Sequence, residues 1–249
     1  MKIQHQVHGR GEPFVYVPGI EGTGKLFYKQ LVDLERDHRI ITFPLRAKGR
    51  YGMGTLVDDL ASVMRDAGAG RATVLGESFG GMLAMAAALE HPEFFKRLIL
   101  VNTFPFFVQR ARIKFGVAIY SILPYALVKA YRRRRAGTEL FSSDIADEDR
   151  RLFRDHTQSV PFEGYLSRLR IIRDMDLRAR LPEIKVPTLV VAGTTDGLID
   201  SVSAAQEIAA NIPGAKLKLL EGTGHCALLS SRVRVRDWIA ELDAQTPQA

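Results

Sequence analysis

Residues 72 to 81 constrain the fold more than any other stretch of this chain. Ala72 to Leu75 reads as an apolar strand and Gly80 to Glu90 as an alanine-rich helix. Gly76-Glu77-Ser78-Phe79-Gly80, followed by Gly81, lies between them. A chain that passes from strand to helix in so few residues must turn sharply. Glycines two residues either side of the serine let strand and helix approach without a Cβ collision. The serine then sits on a strained turn with its hydroxyl clear of the sheet. The N–H of Phe79, with the helix N-terminus behind it, points to where a negative oxygen would develop. G-x-S-x-G is common by chance, and the strand–turn–helix context is what makes it specific; the bland alternative is a glycine-rich connection with an incidental serine.

The remaining chain alternates in the same way, which favours a mostly parallel sheet covered by helices. Strands are expected over Lys2 to His8, Phe14 to Val17, Arg39 to Phe43, Leu98 to Val101, Thr188 to Ala192 and Lys216 to Leu220. Helices are expected over Lys25 to Asp33, Leu56 to Ala67 (with Thr55 as a cap), Val202 to Ala210 and Arg232 to Leu242. From about Thr103 to Leu181 no strand pattern is present, and the segment is helical in pattern and rich in aromatics and arginine. The expected fold is therefore α/β: a mostly parallel central sheet flanked by helices, formed by residues 1–102 and 183–249, with 103–182 as an inserted helical cap. At 249 residues, 46% hydrophobic and 25% charged, the chain is long enough for one such domain with a sizeable core.

A serine hydroxyl acts as a nucleophile only with a base, and the base needs an orienting carboxylate. The strand at 188–192 runs into Gly193-Thr194-Thr195-Asp196-Gly197, and the strand at 216–220 into Glu221-Gly222-Thr223-Gly224-His225. Asp196, His225 and Ser78 thus all fall just past strand C-termini, where open α/β sheets place their sites. Asp200 and Asp176 are alternatives for the acid. His5, His8, His38, His91 and His156 have no placed partner. Cys226, the only cysteine, rules out an intramolecular disulfide and reads as a small buried hydrophobe.

Taken together, Gly76-Glu-Ser78-Phe-Gly80, Gly193-Thr-Thr-Asp196 and Gly222-Thr-Gly-His225 resemble the α/β-hydrolase superfamily over nearly the whole chain. The resemblance implies the α/β-hydrolase fold. It also implies Ser78 as nucleophile, His225 as general base and then acid, Asp196 as its orienting partner, and no metal or organic cofactor. It suggests a serine hydrolase acting on a carboxylic ester or thioester. A lyase, a C–C hydrolase or an acyltransferase on the same triad is an alternative, as is a non-catalytic small-ligand receptor. The chain departs from the family pattern in two places. A single strand precedes Phe14 where members usually have a hairpin, and Pro18-Gly19 stands where many have His-Gly.

Gly19-Ile20-Glu21-Gly22-Thr23-Gly24-Lys25-Leu26 matches the phosphate-binding pattern G-x-x-x-x-G-K-[ST] except at its last position. Leu26 has no hydroxyl to hold Mg²⁺, and the strand at 98–101 ends in Asn102 rather than a metal-binding aspartate, which leaves a nucleotide-binding enzyme as a minor alternative. In the hydrolase reading the same turn supplies a second oxyanion donor, the Ile20 N–H, beside that of Phe79.

Phe104, Phe106 and Phe107, with Phe27 and Phe79 as further candidates, suggest an apolar acyl or alkyl pocket or else are ordinary core of the cap. Phe115 to Val128 is an almost unbroken apolar run of 14 residues, with Arg110, Arg112 and Lys114 before it and Lys129 and Arg132, Arg133, Arg134 and Arg135 after it. It is shorter than the roughly 18–20 residues that span a bilayer, and Pro124 interrupts it. It either roofs the site or lies against a membrane surface. The net charge of +7 permits weak contact with anionic lipids or a phosphate-bearing acyl carrier through the four arginines; no nucleic-acid partner is expected. Met1 to Arg10 is polar, without the apolar core of a signal peptide. A cytoplasmic location, with peripheral membrane contact through the basic segment, is the expectation.

Overall fold

The computed structural model describes residues 3–124, 126–128, 130, 140–157 and 160–244. Seven strands are described: β1 (Gln6–His8), β2 (Glu12–Val17), β3 (His38–Thr42), β4 (Ala72–Glu77), β5 (Phe95–Val101), β6 (Thr188–Gly193) and β7 (Lys216–Leu220). They form one sheet in the order β1-β3-β2-β4-β5-β6-β7. Only β1 is antiparallel to its neighbour. The expected first strand is short: it starts at Gln6 and pairs with β3, Gln6 opposite Thr42, rather than folding back on β2.

Strands β2 to β6 are buried on both faces, while the edge strands β1 and β7 are largely exposed, and the side chains divide by the two-residue period of a pleated sheet. Val15, Val17, Val74, Leu98, Leu100, Val190 and Ala192 enter one core. Phe14, Tyr16, Leu75, Ile99, Val101, Leu189 and Val191 enter the other. The first core is covered by α2 (Met53–Asp66) and α3 (Phe79–Glu90). α2 is amphipathic, burying Leu56, Val57, Leu60, Val63 and Met64 at helical spacing. α3 is buried from Phe79 to Ala88, which explains its small residues: a helix enclosed on all sides has room for little but alanine and glycine. The second core is covered by α8 (Val235–Asp243), through Val235, Trp238, Ile239 and Leu242, and by α1 (Tyr28–Leu34). α7 (Ser201–Asn211) joins β6 to β7.

Between β5 and β6 lie α4 (Arg110–Ile122), α5 (Asp147–Thr157) and α6 (Phe162–Asp174), with α4 packed on α6. No helix among the described residues is long and apolar enough to cross a membrane. Arg132, Arg133, Arg134 and Arg135 lie outside the described residues.

The strand order positions the site. The chain leaves β2 for β3 on one side, then crosses back to β4 on the other, so β2 and β4 are neighbours, with Val17 level with Gly76. This is the switch point of the strand order, beyond whose carboxyl ends open α/β sheets place their ligands.

Candidate active site

Ser78 lies at this switch point, directly after β4, and is buried. It has φ 55 and ψ −123, a conformation that costs a non-glycine residue about 1–3 kcal/mol. Three hydrogen bonds hold it there. Ser78 N donates to Val101 O (2.9 Å), while Ser78 O accepts from Gly81 N (3.0 Å) and from Thr103 Oγ1 (2.6 Å). The glycines have the expected reason. A Cβ on Gly76 would lie 2.5 Å from Gly80 O, and one on Gly80 only 2.2 Å from Val17 O.

His225 Nε2 lies 3.0 Å from Ser78 Oγ, and His225 Nδ1 lies 2.7 Å from Asp196 Oδ2. A carboxylate at Nδ1 fixes the proton there and leaves Nε2 free to accept the serine O–H. Asp196 is held in turn: Oδ1 accepts from Leu198 N (2.8 Å) and Ile199 N (3.2 Å), and Oδ2 also accepts from the Ser201 hydroxyl. The side chains of His225 and Asp196 are 7% and 1% exposed, so the pair is shielded from bulk solvent. Burial alone would push the Asp196 carboxyl up. The charge and hydrogen bond of His225, with the Ser201 and Leu198 donors, hold it below its usual value. Burial alone would push the His225 imidazole down, but Asp196, and then the Glu77 charge, raise it above its ordinary value. The alternative acids are engaged elsewhere: Asp176 forms a two-pronged pair with Arg178 (2.9 and 2.7 Å), and Asp200 caps α7 by accepting from Ser203 N (3.1 Å). The Cys226 thiol is pushed well up by burial and the Glu77 and Asp196 charges, so it stays protonated.

The turn after β2 closes against Ser78. Gly22 N donates to Gly19 O (2.9 Å), and a Cβ on Gly19 would lie 3.5 Å from that of Ser78. The N–H groups of Ile20 and Phe79 have no hydrogen-bond partner among the described residues, so both are available to an incoming oxygen. The resemblance to a phosphate loop ends here. The space facing Gly22 is filled by the Arg168 guanidinium, 3.1 Å from where its Cβ would be, and α1 does not begin until Tyr28.

The candidate pocket aromatics are divided by the structure. Phe104 and Phe107 pack edge to face, ring centroids 5.3 Å apart, against the α2/α3 core. Phe106 lies under the Arg178 guanidinium, 3.9 Å from its ring centroid. Phe27 is fully buried in the opposite core, stacked on Tyr16 (4.7 Å) and Phe14 (5.4 Å).

Three supporting groups have no local sequence signature. Asn102, with φ 45, donates from Nδ2 to Gly224 O (3.0 Å) and His225 O (2.7 Å), and accepts at Oδ1 from Gly193 N (2.8 Å). One buried amide thus ties the Asp196 loop to the His225 loop. Glu77 is buried beneath the serine and accepts from the Tyr16 hydroxyl (2.9 Å). Burial raises the Glu77 carboxyl despite the opposing pull of Tyr16 and His225. Arg168, on α6, reaches the turn after β2.

Comparison with known proteins gives the family and the fold. The family described as alpha/beta hydrolase fold matches residues 12–231. A Stutzerimonas stutzeri protein with the provisional name carbamate hydrolase RutD is 26% identical over 92% of this chain and 91% of its own. The polyketide synthase ThaQ of Burkholderia thailandensis is 30% identical over 89% of this chain, which spans only 11% of that protein. Among solved structures, a hydrolase from Pseudomonas aeruginosa aligns with TM-score 0.79 and 25% identity over 96% of this chain and 91% of its own. The esterase EaEST from Exiguobacterium antarcticum aligns with TM-score 0.85 over 97% and 95%; at 23% identity it speaks for the fold alone. With the family matched from β2 to beyond His225, and the sheet, the serine turn and the two loops arranged as described, this chain belongs to the α/β-hydrolase fold family.

Proposed function

We propose that the protein is a serine hydrolase that cleaves a carboxylic ester or thioester carrying an apolar acyl or alkyl group, by way of an acyl-enzyme. The observation that carries this reading is the unbroken chain Ser78 Oγ to His225 Nε2 (3.0 Å) and His225 Nδ1 to Asp196 Oδ2 (2.7 Å). Ser78 Oγ attacks the carbonyl carbon as its proton passes to His225 Nε2. The negative oxygen is met by the Ile20 and Phe79 N–H groups. The imidazolium, stabilised by Asp196, protonates the leaving alcohol or thiol as the C–O or C–S bond breaks. Water then gives a proton to His225 and attacks the acyl carbon, and Ser78 recovers its proton on release of the acid. Every step uses groups of the chain and water. Phe104 and Phe107 are proposed as part of the wall that meets the apolar group.

A second substrate class, carbamates, is favoured by the name that the RutD relatives carry. The carbamate carbonyl presents the same target to Ser78 and the same oxygen to the two N–H donors. One panel separates the classes: p-nitrophenyl esters of rising chain length, an acyl thioester and an aryl carbamate, each with the native protein and Ser78→Ala. Hydrolysis that peaks at a medium or long acyl chain and disappears in Ser78→Ala supports the ester reading. Selective turnover of the carbamate supports the second. Full activity in Ser78→Ala sinks both.

The α4 surface supports contact with an anionic lipid surface. Its inner face buries Val117, while Ala111, Phe115, Ala118 and Ile122 form an exposed apolar stripe at helical spacing, with Phe115 69% and Ile122 81% exposed. Basic residues flank the stripe in the sequence. Co-sedimentation with phosphatidylglycerol vesicles, weakened in Phe115→Glu, is the expected result. Equal recovery with neutral vesicles, or none with either, refutes it.

A further inference from the structure

The Arg168 side chain is 1% exposed, the largest fully buried side chain described in this protein, and it comes from α6 rather than from the sheet or its catalytic loops. Burying a guanidinium is expensive unless its donors are satisfied. Nε donates to Ile20 O (2.7 Å), Nη1 to Arg46 O (3.0 Å) and to the Tyr51 hydroxyl (3.0 Å), and Nη2 faces Glu21 O at 3.5 Å. The Glu21 charge adds a further attraction. A turn closed by the bond from Gly22 N to Gly19 O does not use the carbonyls of its two central residues, Ile20 and Glu21, in closing. Arg168 meets the Ile20 carbonyl directly and approaches that of Glu21. Gly22, at φ +65, lets the guanidinium lie against the turn, since a Cβ there would come within 3.1 Å of its central carbon.

α6 is itself anchored to the neighbouring loop. Gly164 N donates to Ala47 O (2.9 Å), Ser167 Oγ donates to Gly49 O (3.0 Å), and Glu163 Oε2 accepts from Gly49 N (3.0 Å). A Cβ on Gly164 would sit 2.7 Å from Arg46 O, so helix and loop are in close backbone contact. The helix thus gives Arg168 a fixed base, and the rigid fork of the guanidinium carries that position to the Ile20 carbonyl.

We infer that Arg168 is a positioning residue for the oxyanion turn, holding the Ile20 peptide in place from the helical segment between β5 and β6. This rests on the proposed role of the Ile20 N–H as an oxyanion donor. The Ile20 N–H shares a peptide with the Gly19 carbonyl, which Gly22 N holds, and the Ile20 carbonyl lies in the next peptide plane; releasing that carbonyl removes one of the two ties on the turn and loosens the donor. The inference also links the two parts of the protein: a shift of α6 moves Arg168 and with it the turn beside Ser78.

Arg168→Met and Arg168→Lys, compared with the native protein, test this. Complete loss of an oxyanion donor lowers kcat by about 10²–10³-fold, and a donor left in place but mobile loses part of that. For Arg168→Met the expected result is a fall in kcat of about 10- to 100-fold with KM changed by less than about threefold, with Arg168→Lys intermediate. The pH at which kcat/KM reaches half its maximum is expected to stay in place, because His225 is untouched. Amide hydrogen exchange across 19–22 is expected to accelerate in Arg168→Met, while that of 74–77 stays at the native rate. Native exchange across 19–22, or a rise in KM at unchanged kcat, overturns the inference. Should Arg168→Met fail to fold, Tyr51→Phe removes the hydroxyl that accepts from Nη1 and is read the same way, with a smaller fall in kcat expected. The exchange measurement needs no substrate. A native protein inert towards every ester would therefore count against the ester reading alone, and exchange would still decide the role of Arg168.

Discussion

Asn102→Ala is the most informative substitution away from Ser78, His225 and Asp196. It removes three hydrogen bonds at once and leaves Gly193 N, Gly224 O and His225 O without their partner in a buried setting. An orphaned buried polar group costs about 1–3 kcal/mol; if water reaches part of the new space, the low end applies to each, giving about 3 kcal/mol in all. Asn102 also sits at φ 45, where asparagine is tolerated and alanine is penalised by about 1 kcal/mol more. The expected loss is about 4 kcal/mol, a large share of the roughly 5–15 kcal/mol that keeps a domain folded. For a chain of this size that lowers Tm by about 8–16 °C. Activity should fall further than stability explains, because the Asp196 and His225 loops lose their common tie; misplacing reacting groups by about 1 Å costs on the order of 10²-fold. Two companions separate the terms. Asn102→Gly keeps the backbone relaxed and should recover about 1 kcal/mol. Asn102→Asp keeps the shape but turns an oxygen towards two carbonyls, so it should be no better than alanine. Urea unfolding with kcat/KM on one ester measures all three. An Asn102→Ala protein within about 1 kcal/mol of native and within threefold of its kcat/KM would refute the reasoning.

His225 must be neutral to accept the serine proton, and its value is raised, so kcat/KM should climb with pH and reach half its plateau above the ordinary histidine value of about 6.5. Glu77→Gln removes one of the charges that raise it, so the half-point should move to lower pH; a shift to higher pH would contradict the assignment. The same pair shapes stability. The lowered Asp196 contributes above its unfolded value and loses that contribution as pH falls through its folded value. The raised His225 contributes below its unfolded value and loses it as pH rises through its folded value. Asp196→Asn should therefore flatten the acid side of a urea-midpoint-against-pH curve; an unchanged curve counts against the pair. Gly80→Ala drives a Cβ to within 2.2 Å of Val17 O and 2.7 Å of Pro18 O, both backbone, and should cost about 3 kcal/mol or prevent folding. A stable, active Gly80→Ala would show that the strand and helix are not in the contact described.

The parts of the site that were legible in the sequence are those fixed by local geometry. The serine turn could be read because its glycines answer to atoms within a few residues or on the adjacent strand. Asp196 and His225 could be placed because each follows a strand end directly, and strand ends share one rim of a parallel sheet. The supporting groups could not be read. Asn102 reaches Gly193 and His225, and Arg168 reaches Ile20, across 91 to 148 positions in the chain, and no spacing rule links such partners. The pairing of β1 with β3 was hidden for the same reason. Phe27 shows the converse: its place beside the glycine-rich turn after β2 in the sequence suggested a pocket, whereas the start of α1 turns its ring into the stack with Phe14 and Tyr16. Element ends moved by one to four residues, as with the first helix, which starts at Tyr28 rather than Lys25.

The central claim is that His225 activates the hydroxyl of Ser78. Reaction with a fluorophosphonate, followed by mass spectrometry of the digested protein, tests it without knowledge of the natural substrate. Phosphonylation should fall on the peptide containing Ser78, be absent in Ser78→Ala, and slow by at least about 10³-fold in His225→Ala. Labelling at another residue, or labelling of Ser78 at the native rate without His225, would contradict the account.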